Sequence, residues 1–151
     1  MADHDRDIEI LNSLITTTID SANGFERSAE NVDSPRFKSM FEEFGRERRE
    51  VTGRLQERVR QLGGTPNDDG SLTAGLHRRW EDLRTAIAGG DDKQVIDEVE
   101  RGEDYIKAKY EEAMRDSELS SETRGLVENC FASVRRGHDR ASALKHGMET
   151  A

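Results

Sequence analysis

Four ionisable side chains stand at helix positions where the repeat calls for an apolar residue, and a fifth lies beside one. Arg48 comes four residues after Phe44 and three before Val51; Glu103 comes four after Val99 and three before Ile106; His138 comes four after Val134 and three before Ala141. These spacings put each on the core-facing side of a helix. Asp20 flanks the stripe of the first helix, and Glu26 lies on its Ala22/Ala29 line. At about 1.5 Å of rise per residue, Asp20, Arg48, Glu103 and Arg135 come to a common height, with His138 one turn away. A mixed-charge layer across the middle of a helical bundle is expected. Its members must pair, because an unpaired buried charge costs several kcal/mol.

Two chemistries can use such a layer. Carboxylates and a histidine on facing helices can hold iron or manganese; here the ligands would be Glu100, Glu103 and His138, helped by Asp20 or Glu50. Bundle-core di-iron sites take a Glu from each of two helices and a Glu-x-x-His from each of the other two. The sequence has no Glu-x-x-His: three before His138 is Arg135, and three before His146 is Ala143. A central Arg48 would also repel a cation. The other chemistry is structural, a network of Asp20, Arg48, Glu103 and His138 whose ion pairs and hydrogen bonds fix helix register. The network is the preferred reading, with no cofactor; iron or manganese is the alternative.

Four long amphipathic helices must position these groups. Helix one runs from about Asp5 to Asn31, with Ile8, Leu11, Ile15, Ile19, Ala22, Phe25, Ala29 and Val32 at spacings of three and four. Asp33-Ser34-Pro35 breaks and restarts the chain, Ser34 suiting the N-cap and Pro35 the first helical position. Helix two continues to Leu62, with Phe37, Phe41, Phe44, Val51, Leu55, Val59 and Leu62 inward, and Gly63-Gly64 ends it. Thr65 to Ser71 is a loop, and a shorter helix carries Leu72, Leu76, Trp80, Leu83 and Ile87 on one face before Gly89-Gly90. Asp91 can cap helix three, from about Asp92 to Asp116, with Gln94 at the box position. Its stripe is Val95, Ile96, Val99, Ile106, Tyr110 and Ala113. Helix four, from about Ser121 to Met148, presents Leu126, Val127, Cys130, Val134, Ala141 and Leu144.

The tight joints make helices one and two, and helices three and four, antiparallel hairpins. About 27 residues, Gly64 to Gly90, separate the pairs. That is enough chain to travel the length of a bundle, the connection of ferritin-like folds. The expected fold is therefore all-α: one domain, residues 1–151, a ferritin-like four-helix bundle whose long crossover holds a short helix anchored by Trp80.

Composition limits the function classes. Hydrophobic residues are only 32% of the chain and charged residues 36%. A chain this polar folds if its apolar residues fall on stripes, since each helix needs one apolar face. The net charge of −9 argues against nucleic acid or an anionic membrane as a partner. Neither a signal peptide's apolar run nor a membrane span of about 18 apolar residues is found, so the expected location is the cytoplasm. Cys130 is alone, reads as a small core residue, and can form no internal disulfide. His4 and His146 lie near the ends. No phosphate loop, nucleophile elbow or serine–histidine pair is visible, so hydrolase and kinase readings are poor.

These residues, in this order, resemble an uncharacterised bacterial family of ferritin-like four-helix-bundle proteins, a domain of unknown function. The most specific part is Gly70-Ser71, then Gly75-Leu76-His77-Arg78-Arg79-Trp80 and Leu83. Asp20, Gly24-Phe25 and Ala29 support it, with Arg48, Leu55, Leu62-Gly63-Gly64, Glu100-Arg101-Gly102-Glu103-Asp104, Tyr110, His138-Asp139 and Leu144. The resemblance implies a ferritin-like fold and a bacterial, stress-associated setting, with no established activity. Val51 stands where the family usually has phenylalanine, and Arg54 where a glutamate normally precedes Leu55. If that glutamate binds metal in relatives, Arg54 removes it here.

The function expected from all of this is non-enzymatic: a helical bundle acting by self-association or by docking another protein. His77, Arg78 and Trp80 form the candidate contact surface. A ferritin-like protein binding iron or manganese is the alternative.

Overall fold

The computed structural model describes residues 2–70 and 92–150, which hold four α-helices and no strand. They are α1 (Ala2–Asn31), α2 (Pro35–Gln61), α3 (Asp92–Met114) and α4 (Ser121–Thr150). The expected short helix, with Leu76, His77, Arg78 and Trp80, and the Asp91 cap lie outside the described residues. No helix among the described residues is long and apolar enough to cross a membrane.

Local chemistry sets the helix ends. Ser34 adopts an extended conformation (φ −68°, ψ 121°) and its Oγ accepts the Phe37 N–H, with Pro35 in the first turn. At the other end of α2, Gly63 has φ 83°. The Gly63 N–H returns to the Arg60 carbonyl and the Gly64 N–H to that of Val59, at 3.0 and 2.9 Å. This paired closure, which needs a left-handed residue after the cap, is why a glycine stands there. α3 stops at Met114, two residues before the sequence pattern suggests. There the Arg124 guanidinium takes the carbonyls of Met114, Asp116 and Leu119, satisfying oxygens that a further turn would have used.

Packing contacts fix the topology. α1 packs against α2 and α3, and α4 against α3 and α2, so α2 and α3 face each other across the diagonal. Phe25 meets Phe44, while Ile8 lies under Gly64, so α1 and α2 are antiparallel. Tyr110 stacks on Phe131 and Arg124 caps Met114, so α3 and α4 are antiparallel. Asp92, at the start of α3, accepts the backbone N–H groups of Asp33 and Ser34 just beyond α1, while Arg6 pairs with Asp116 at the opposite end. α2 and α3 therefore run parallel, and the connection from Leu62 to Asp92 spans the bundle. Its described part climbs α1: the Asn67 N–H donates to Asn12 Oδ1 (2.8 Å), Asn67 Nδ2 donates to Thr16 Oγ1 (3.1 Å), and Gly70 rests on Ile19 and Asp20.

The core is divided. One cluster joins Leu11, Ile15, Ile19, Val51, Leu55, Val59, Ile106, Tyr110, Cys130 and Val134. The other joins Phe25, Ala29, Phe41, Phe44, Val95, Ile96, Val99 and Ala141. On α2 the boundary falls between Phe44 and Val51, and on α3 between Val99 and Ile106. Those are the intervals that hold Arg48 and Glu103. A smaller polar contact lies within the first cluster: the Tyr110 and Thr18 hydroxyls are 2.8 Å apart. Thr18 already donates to the Leu14 carbonyl, so Tyr110 is the donor to Thr18.

Candidate functional site

Arg48 and Glu103 are both about 2% exposed and form a two-pronged ion pair. Nη1 donates to Oε1 at 2.9 Å and Nη2 to Oε2 at 2.6 Å. The short glutamate on α3 and the long arginine on α2 together cover the bundle diagonal. The remaining helices complete the enclosure. Nη1 also donates to Ser21 Oγ on α1 (2.8 Å), and Nη2 to the Val134 carbonyl on α4 (3.2 Å). The Phe25 ring lies 5.3 Å from the guanidinium carbon, close enough for a cation–π contact.

Gly137 makes room for this arrangement. A Cβ there would stand 2.5 Å from Arg48 Nη2 and 3.3 Å from Glu103 Oε2. The glycine lets the α4 backbone come close enough for the Val134 carbonyl to accept a side-chain hydrogen bond beside its helical one.

Burial pushes the Glu103 carboxyl above its ordinary range, and the attraction and hydrogen bonds of Arg48 pull against that rise without cancelling it. The pair is thus a weak source of net stability, since removing two charges from water offsets much of their mutual attraction. Breaking it is another matter, because one charge would be left alone in the core. Such a site can hold helices in one arrangement; it offers no free nucleophile or base.

The other residues singled out from the sequence are distributed as follows. None of the hydrogen bonds of Arg48 goes to Asp20, which is half-buried beside Gly70; the partner on α1 is the next residue, Ser21. His138 sits at the rim, its side chain 14% exposed, with Nε2 2.6 Å from Asp104 Oδ1 and Nδ1 3.3 Å from Asp139 Oδ1. Glu50 and Arg135 are exposed, and Glu100 is half-buried. Glu26 is exposed and pairs with Arg49, so Arg49 faces outward while its neighbour Arg48 turns inward. Among the described residues, no group of three or more His, Cys, Asp or Glu could hold a metal ion. The candidate contact surface of His77, Arg78 and Trp80 lies outside the described residues.

A second polar cluster, not anticipated from the sequence, ties the start of α1 to the start of α4. Asp7 is fully buried and accepts from the Ser120 N–H (2.9 Å), Ser120 Oγ (2.5 Å) and Thr123 Oγ1 (2.8 Å). Burial opposes its charge, but these hydrogen bonds, helped by Arg58, outweigh burial and hold its carboxyl below the usual range. Ser120 Oγ accepts the Thr123 N–H and so caps α4. The run Ser120-Ser121-Glu122-Thr123 carried that signal as a helix start, but nothing local pointed to Asp7. The cluster closes one end of the bundle and holds no group free for chemistry.

The model of the family described as Domain of unknown function (DUF2383) matches residues 6–116. The match takes in Asp7, Ser21, Arg48 and Glu103 and leaves α4, with Gly137 and His138, outside it. None of the curated proteins matches the chain. With more than two thirds of its length under that match, the chain belongs to the DUF2383 family.

Proposed function

We propose that this is a non-enzymatic, ferritin-like bundle protein that acts through its surface, by self-association or by docking another protein. The observation that carries this reading is the Arg48–Glu103 pair. It fills the bundle centre, where proteins of this architecture that handle metals project their ligands. Glu103 already has both oxygens on a guanidinium, at 2.6 and 2.9 Å, and cannot serve a metal without breaking that contact. With the centre closed, the outer faces remain for function. The parallel run of α2 and α3 and the long connection between them favour the ferritin-like assignment over an up-down bundle. A bacterial, cytoplasmic and stress-associated role belongs to the same proposal, resting on the family resemblance.

Elemental analysis of protein purified without chelators, with sedimentation equilibrium on the same sample, tests the reading. The expected result is folded protein with far less than one metal ion per chain, and a mass above the monomer or a captured protein partner. Iron or manganese near one per chain, lost in His138→Ala, would replace this reading with metal handling. Unchanged sedimentation and partner capture in Trp80→Ala would remove the His77, Arg78 and Trp80 surface from the role.

A further inference from the structure

We infer that the centre of the bundle is a cation-binding site whose occupant is the chain's own guanidinium, held by an acceptor cage that α1, α3 and α4 build without α2. This deepens the proposed function and rests on it. The cage consists of Glu103 Oε1 and Oε2, Ser21 Oγ and the Val134 carbonyl, each within 2.6–3.2 Å of an Arg48 nitrogen. The Phe25 ring adds a face for a cation, and the missing side chain of Gly137 adds the space. Every one of these groups comes from a helix other than the one that carries Arg48.

The shape of the cage selects its ion. A guanidinium presents parallel N–H donors in a plane, which match the two carboxylate oxygens of Glu103, and outward donors that match the flanking acceptors. A hard divalent ion needs about six oxygens converging at roughly 2.0–2.6 Å, whereas these four are spread around a planar fork. A weakly hydrated planar cation also gains from an aromatic face more than a strongly hydrated one does.

If the cage exists independently of α2, removing the arginine side chain leaves a site that a free guanidinium ion can occupy. The test is Arg48→Ala in the full chain. Its thermal unfolding is followed with low-millimolar guanidinium chloride, and with sodium chloride, urea or manganese chloride at the same concentration. Guanidinium should raise the Tm of Arg48→Ala saturably, by roughly 2–4 °C. The wild type and the Arg48→Ala/Glu103→Gln double variant should show no such rise. If Arg48→Ala is unfolded alone, guanidinium should restore its helical circular dichroism, and that of Arg48→Gln. No gain over sodium chloride in either variant, a gain that survives Glu103→Gln, or a larger gain from manganese would each overturn the inference. Failure of the inference is separable from failure of the functional reading, which is judged on the metal content of the wild type.

Discussion

Glu103 on α3 and Arg48 on α2 meet across the diagonal of the bundle, joining two parallel helices that are not principal packing neighbours. The pair divides the core into an aliphatic-rich half around Leu11, Leu55 and Ile106 and an aromatic half around Phe25, Phe41 and Phe44. Sliding α2 or α3 by a turn would strand a charge in one of these halves. The ion pair therefore specifies one register even though it adds little net stability.

The space at Gly137 is a sharp test of that geometry. In Gly137→Ala the new methyl would lie 2.5 Å from Arg48 Nη2, and the guanidinium cannot step aside without giving up hydrogen bonds. A net loss of about 1–3 kcal/mol is expected, despite the roughly 1 kcal/mol by which alanine exceeds glycine in a helix. Gly102→Ala, with open space around it, should instead gain about 0.5–1 kcal/mol. Urea unfolding of the two variants checks the contrast; effects of the same sign would contradict it.

Acid should loosen the end of the bundle that Asp7 closes. The folded Asp7 carboxyl titrates below its unfolded value. Its contribution is present above about pH 4 and is lost as the pH falls through the folded value. Asp7→Asn should cost about 1–3 kcal/mol at pH 7, and the gap from the wild type should close toward about pH 3. Denaturant melts between those pH values measure the gap, and a gap constant with pH would refute the role.

Alkali should act through Tyr110. Burial raises its phenol far above the ordinary tyrosine value. Above about pH 10 the unfolded chain ionises this group and the folded chain does not, so stability falls as pH rises. Tyr110→Phe should cost about 1 kcal/mol at pH 7 and flatten that alkaline decline in denaturant melts.

Cys130 should report unfolding. Its thiol is buried, which raises its pKa against a smaller opposing effect of Arg54. Its reaction with a thiol reagent should be at least about a hundredfold slower in native protein than in denaturant. Rapid modification of the native protein would contradict its place in the core.

The helix pattern exposed Arg48 and Glu103 because each breaks an apolar stripe at the i+4 and i−3 positions, and their burial follows from that spacing. Partner choice was less legible. Ser21 rather than Asp20 meets the guanidinium, since one residue along a helix turns a side chain by about 100°, more than counting from the turns can resolve. On α4, both Gly137 and His138 fit between Val134 and Ala141. The glycine takes the core position because the arginine needs its empty volume, and the histidine turns to Asp104 at the rim. Asp7 joins Ser120 and Thr123 from the far end of the chain, a contact that only the assembled topology brings about.

A double-mutant cycle between Arg48 and Glu103 reads the central claim most directly. Arg48→Leu and Glu103→Leu should each cost about 3–5 kcal/mol in urea unfolding, while the double variant should cost less than either. Additivity within about 0.5 kcal/mol would mean that the two side chains do not depend on each other, and would contradict the account.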